Sequence, residues 1–397
     1  MMSAGDRSVW ITGIGIVSSL GEGQEAHHEA LVAGAGPNVD RERFAPYPVH
    51  PIVPLELDRQ IPKKGDQRQM EPWQRIGTYA AGLALEDAGV KGDEALLDRT
   101  DMIVAAGGGE RDAEVDSAIV TALRDAEDPE RLLNAKLSTE LRPTLFLAQL
   151  PNLLAGNISI VHKVTGSSRT LMGEEAAGMS AISSAHGRIA AGQSEICLVG
   201  GSYNAERWDM LLLLELGGFQ WREDYAPVWE RAAHGGGVIT GSVGAFLVLE
   251  SESHARARGA EPIARISGVQ TDYTRRGPGD AAAAARRQLD ALAGGIEGSL
   301  AVFSGATGIA GLTEEEQGFL QPLADGGGSV RALGSAIGHG LEIQFPALVA
   351  LAAINLKHGG SFAPRGGNER PATAPDSALV NCWGHWRGEA MALLRKA

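Results

Sequence analysis

The chain has 397 residues, a formal net charge of −14 and 44% apolar residues. The apolar share excludes whole-chain disorder, and the length divides into about two to three ordinary domains or one large double unit. So acidic a protein is a poor nucleic-acid binder without a basic patch, and the longest basic run is Lys63-Lys64.

In chain order, Val9 to Val17 (VWITGIGIV) is apolar and β-branched and predicts a buried strand. Residues 73–91 place Trp73, Ile76, Ala80 and Leu83 at helical spacing and end at Gly89, a C-cap. Asp101 to Ala106 predicts a second strand, closed by Gly107-Gly108-Gly109, and residues 112–160 read mainly as helix. A helix over Glu174 to Ala191, with Met179, Ile182, His186 and Ile189 on one face, precedes strands at Glu195 to Gly200 and Gly244 to Glu250. The second half reuses the scheme. It has a strand at Ile263 to Val269, an Ala-rich helix over 281–293 and a strand at Leu300 to Ser304. A helix over 340–357 and strands at Ala378 to Cys382 and Ala390 to Leu394 close it. Strands alternating with helices imply α/β layers, and the two passes suggest an internal duplication: an N-terminal half over 1–250 and a C-terminal half over 251–397. Residues 40–65 and 360–376, rich in Pro, Gly and polar residues, read as surface loops.

The 53 glycines, nearly twice the usual share of about 7%, imply many tight turns or close backbone contacts. The two cysteines, Cys197 and Cys382, lie in apolar runs and fit a reducing compartment better than a disulfide framework. The apolar stretch Phe345 to Leu356 is too short to span a bilayer and contains Asn355, and the start MMSAGDRSVW lacks the pattern of a signal peptide. A cytoplasmic protein without membrane contact is the expectation.

Some local patterns carry little. Gly13-Ile14-Gly15 follows a strand, but the third glycine of a dinucleotide fingerprint would fall at Ser18. His27-His28, His234 and His358 have no companions at ligand spacing, so they read as solvated or turn histidines, and no metal or cofactor is expected. His186 reads as a core histidine.

Several stretches belong together. LPNLLAGNISI (150–160) precedes TGSSRT (165–170), ICLVGGSYNAE (196–206), GSAIGH (334–339) and NCWGHWRG (381–388). With VWITGIGIVSSLG (9–21), they resemble the β-ketoacyl-acyl-carrier-protein synthases of fatty-acid and polyketide elongation from Val9 to Lys396. The resemblance implies a thiolase-like fold, two duplicated α/β halves in a five-layered αβαβα sandwich, usually dimeric.

The departures from that family are concentrated where its chemistry lies. Its active members carry a cysteine at the start of the central helix, in a pattern like TxxTACxSG; here the place reads TLMGEEAAG (170–178), and Glu175 falls on the cysteine. The first family histidine is replaced by Ala306 and the lysine before the second by Gly334, while His339 survives as the second. The family's GFGG turn becomes Gly384-His385-Trp386-Arg387, whose larger side chains should reshape the pocket. The resemblance puts the oxyanion-hole amides at Glu175 and His385.

Condensation needs a thiolate that becomes acylated, and a glutamate is a far poorer acyl acceptor. The expected function is therefore a catalytically degenerate subunit, like a chain-length factor. It would pair with an active ketoacyl synthase, or with itself, and meet an acyl-carrier protein through a cationic spot. Glu175 would fill the vacated nucleophile site and His339 would be structural, paired with Glu342. The dimer face would be Glu195 to Gly200 with Pro151 to Ile160. The alternative is an active enzyme using Glu175 and His339: a 3-oxoacyl-ACP synthase-type acyltransferase, a malonyl-ACP decarboxylase or a thioester hydrolase. A stand-alone acyl-chain binding module is the third reading.

Overall fold

The computed structural model describes residues 7–141, 146, 147, 149–366 and 369–397. Residues 1–6 at the N-terminus, 142–145 and 148 in the helical reading, and 367–368 in the second loop reading lie outside them.

Among the described residues eleven strands form one sheet, ten of them along a continuous path. They are β1 (Val9–Ser18), β2 (Gly21–Glu22), β3 (Asp101–Ala106), β4 (Ser168–Met172), β5 (Ile196–Tyr203), β6 (Val243–Ser251), β7 (Ala264–Asp272), β8 (Leu300–Ser304), β9 (Ser329–Ala332), β10 (Ser377–Trp383) and β11 (Glu389–Arg395). Their order is β4-β3-β5-β6-β1-β7-β11-β10-β8-β9, with β2 beside β1. Five strands before residue 252 run β4-β3-β5-β6-β1, with parallel pairs at β4/β3 and β3/β5 and antiparallel pairs beyond. The last five repeat these directions as β9-β8-β10-β11-β7. Only Val9 to Ile11, opposite Ala264 to Ile266, join the two sets. One five-stranded unit has been used twice.

Helices make the other layers. Helices Pro72–Asp87 and Leu153–His162 cover the outer face of the first unit, and helices Asp280–Leu292 and Leu312–Asp325 that of the second. Between the units lie helices Glu175–Ala190 and Gln344–His358, each touching strands of both. The apolar core follows these layers, with a central cluster around the two inner helices and a smaller cluster under each outer pair. This is the five-layered αβαβα sandwich of the thiolase-like fold.

Glycines set how closely the layers approach. A Cβ at Gly15 would stand 2.0 Å from the Ala80 carbonyl oxygen, and one at Gly13 would stand 2.4 Å from that of Ala84. The Gly13-Ile14-Gly15 run therefore lets helix Pro72–Asp87 lie on the backbone of β1. The inner helix begins EAAGMSAISSA, small enough to lie between two sheets. At Gly178 a Cβ would meet the Glu342 carbonyl oxygen at 2.2 Å.

The structure corrects several expectations. Strand Glu195 to Gly200 is no surface: β5 is buried throughout, between β3 and β6. The free edge of the first unit is β4, where Met172 is 68% exposed; nearby in sequence, Ile160 on helix Leu153–His162 is 59% exposed. His27 is fully buried, bonded to Ser18 Oγ at 2.8 Å and the Gly23 carbonyl at 2.7 Å, so it is no solvated histidine. His186 is half-buried rather than in the core. Neither loop reading holds throughout. Phe44, Tyr47, Val49, His50 and Ile61 are buried in the first, and Phe362 and Glu369 in the second.

Candidate active site

The short edge strand β4 runs parallel to β3 and ends at Met172. Gly173, at φ 148°, turns the chain, and helix Glu175–Ala190 starts directly after it. Glu175 thus stands in the first helical turn, where free N–H groups and the helix dipole favour a negative charge. Its side chain is fully buried and points across the central layer to two segments of the second half of the chain.

There it meets two histidines. His339 Nε2 lies 2.6 Å from Glu175 Oε1, and His385 Nδ1 lies 2.9 and 3.0 Å from the two carboxylate oxygens. The backbone N–H of His385 also donates to Oε1, at 3.1 Å. Oε1 therefore collects three contacts. The 2.6 Å bond requires a proton on His339 Nε2, while His339 Nδ1 is buried without a partner. His339 is held by its own backbone, which bonds to Ile239 and Gly241. Phe219 packs edge-on against the His385 ring at 5.2 Å between centroids.

Electrostatics follow from this geometry. Burial by itself would raise the Glu175 carboxyl, but the His385 charge and the hydrogen bonds from His339 and His385 together hold it well below the usual carboxylate range. Burial would lower His385, yet the Glu175 carboxylate outweighs it and raises the imidazole. The site is a buried ion pair with a second histidine as donor.

The expected pairing of His339 with Glu342 does not form: the His339 ring bonds Glu175 through Nε2 and leaves Nδ1 without a partner. Glu342 Oε1 instead accepts the Gly107 N–H at 3.0 Å. Burial, with the Glu175 charge adding to it, pushes the Glu342 carboxyl up to about 8 against the pull of Arg207 and the Gly107 N–H. Sequence reasoning gave Glu342 no role of its own. The available signal was an acid between two apolar residues, Leu341 and Ile343. The side chain of His385 was missed too, since only its amide was assigned.

Ala306 and Gly334 meet each other: a Cβ at Gly334 would stand 3.5 Å from the Ala306 carbonyl oxygen. Neither carries a side chain that could donate or accept a hydrogen bond. Both cysteines are buried, and burial pushes both thiols up, with Glu175 and Glu316 adding to the effect at Cys382. No thiolate is available at either position. Among the described residues no group of His, Cys, Asp and Glu is arranged to hold a metal ion, and no helix is long and apolar enough to cross a membrane.

Two cavities bear on the site. One of about 590 Å³ is lined by Phe219, Arg275, Arg276, Leu312, His385 and Trp386, so His385 separates it from Glu175. Arg276 is fixed there by bonds to the carbonyls of Gly384 and Gly388, and its guanidinium meets Glu389 at 2.6 Å. Another, of about 720 Å³, opens beside Glu110, Asn204, Arg207 and Trp208.

The family model for the Beta-ketoacyl synthase, N-terminal domain, matches residues 6–255. The chain is 29% identical over 288 residues to 3-oxoacyl-[acyl-carrier-protein] synthase 2 of Rhizobium meliloti (strain 1021), an alignment covering 66% of this chain and 63% of that protein. It is 27% identical over a 434-residue alignment to the Actinorhodin polyketide putative beta-ketoacyl synthase 2 of Streptomyces coelicolor, covering 98% of each. Among solved structures, the ishigamide ketosynthase/chain length factor superposes with a TM-score of 0.79 at 21% identity, over 99% of this chain and 100% of that one. A beta-ketoacyl synthase from Burkholderia phymatum STM815 gives 0.77 at 21%, over 98% and 100%. At those identities the two likenesses speak to the fold.

Proposed function

Because this chain belongs to the β-ketoacyl synthase family, we propose that it serves fatty-acid or polyketide elongation as a non-condensing partner of an active synthase. One observation carries the reading. The side chain in the place of the family's cysteine is a carboxylate whose oxygens are occupied by His339, by the His385 ring and by the His385 amide. That amide is the donor a substrate oxyanion would need, and here a fixed negative charge sits on it. Ala306 and Gly334 remove the side chains that the family places at the other two positions.

The alternative, an enzyme with Glu175 as general base, is disfavoured by the same geometry. A base works best with a pKa near the operating pH, and Glu175 is held far below it.

On this reading residues 1–250 and 251–397 are the two thiolase-like halves of a cytoplasmic dimer subunit. The partner is a synthase or a second copy, and β4 with Ile160 is the face it would cover. The cavity outside His385 would admit the arm of an acyl-carrier protein, and the exposed Arg275 on its lining, unlike Arg276 with its Glu389 partner, would be the cationic spot that an acidic carrier requires.

The test is turnover of malonyl-carrier and acyl-carrier, read by mass spectrometry with and without a co-expressed synthase. The reading requires no β-ketoacyl product from this chain alone and recovery of a condensing enzyme by native pull-down. Product from the chain alone that vanishes in Glu175→Gln overturns it.

A further inference from the structure

A second cluster of cationic groups lies apart from Glu175 and has no role in that reading. Arg231 ends the short helix Val228–Arg231 and is only 1% exposed. Its guanidinium packs on the backbone of Gly308, where a Cβ would stand 2.7 Å from Cζ and Nε. Nε and Nη1 are buried and have no hydrogen-bond partner. His50 is fully buried, and its Nε2 is unpartnered as well. Tyr225 faces His50 edge-on at 6.0 Å and donates its hydroxyl to the Ser335 carbonyl at 2.6 Å. Arg365 adds a fourth buried, unpartnered atom, its Nε, while its Nη2 donates to the Ala30 carbonyl at 3.5 Å. The charges of Arg231 and Arg365 both reach His50 and, after burial, are what lower its imidazole.

What is missing beside Arg231 is a carboxylate counter-charge, whereas Arg365 feels that of Glu369. Among the described residues neither Arg231 nor Arg365 forms a side-chain ion pair. Glu369, the acid nearest in chain to Arg365, is already engaged. It accepts from the backbone N–H groups of Ala332 and Arg365 and from Trp229 Nε1, and it lies 4.0 Å from Arg331. A guanidinium stays protonated in a protein, so burial cannot neutralise it. Water could fill the empty donor positions but would leave the charge unbalanced. An uncompensated buried charge costs several kcal/mol.

We propose that Arg231, Arg365 and His50 enclose a binding site for one small inorganic anion of the size of chloride. Arg231 and His50 are at most 1% exposed, so an anion that reaches their donors is shut off from solvent and has to be small. The anion accepts from the free guanidinium donors and holds Arg231 against Gly308, two residues beyond Ala306.

The experiment compares thermal unfolding of the full chain in sodium chloride and in sodium gluconate at constant ionic strength. Chloride is expected to raise Tm saturably, by about 1–3 °C for a chain of this size. Arg231→Met is expected to lose that response and to be at least as stable as the parent in gluconate. Crystals grown in bromide give an independent readout, with an anomalous peak expected beside Arg231. Tm values equal in both salts, together with no bromide peak there, overturn the proposal. They would mean that internal water alone meets these donors. If Arg231→Met does not fold, the bromide peak in the parent protein decides.

Discussion

Glu342 makes stability depend on pH in a calculable way. Its carboxyl rises from 4.5 to about 8 on folding, so between those values the native state holds a proton that the unfolded chain has lost. Stability must therefore fall as pH rises through this window. Each unit is worth about 1.4 kcal/mol, so Glu342 alone removes about 2 kcal/mol by pH 6 and about 5 kcal/mol by pH 9. The difference, about 3 kcal/mol, is an upper figure because the protein relaxes around a buried charge; about 1–3 kcal/mol is expected. His385 acts in the same direction. Its raised imidazole contributes fully below 6.5 and loses that contribution as pH rises through the folded value. Glu342→Gln deletes the first titration and leaves the second, while its amide oxygen can still accept the Gly107 N–H. Urea unfolding at pH 6, 7, 8 and 9, at fixed protein concentration, should show a shallower decline for the variant by that amount. Parallel curves for parent and variant would refute the argument.

Glu175→Gln removes the charge that raises His385, so the His385 ring should titrate at lower pH, read by NMR of its ring protons. Glu175→Cys should form no β-ketoacyl product from malonyl-carrier and acyl-carrier, read by mass spectrometry, since Ala306 and Gly334 remain. Gly15→Ala forces a methyl group to within about 2 Å of the Ala80 carbonyl; it should cost at least about 3 kcal/mol, visible as loss of soluble protein or a large drop in urea midpoint. Thr170→Pro on β4 should abolish any self-association seen by light scattering, since proline at a free edge removes a ladder donor.

The strands easiest to read in the sequence were the buried ones. β1, β3, β5, β6, β8, β10 and β11 are continuous apolar runs, and their positions followed from that alone. β4 (SRTLM) and β9 (SVRA) are short and polar, and pairing with a neighbour, not composition, makes them strands. The helix Trp208–Leu216 went unread because WDMLLLLEL is apolar on all sides and carries no periodic signal. At the site, Glu175, Ala306 and Gly334 were singled out by their places in the resembled pattern. The partner of His339 was not, because Glu175 lies 164 residues away and only the duplication of the fold brings them together. His27 misled for a local reason: its partners Ser18 and Gly23 are a strand end and a turn, which no ligand-spacing rule examines.

The shared inner layer also governs how the chain can be made. Helix Gln344–His358 packs on β6, β1 and β5 of the first unit, but it is encoded almost 100 residues after β6. A nascent chain that has completed β6 has its outer helices in place and its inner face only partly closed. At roughly 5–20 residues per second, the stretch from β6 to the end of that helix takes roughly 5–20 s to emerge. Through that interval the ribosome carries an unfinished apolar surface, so an excised first half would stay sticky indefinitely and should not survive as a separate protein.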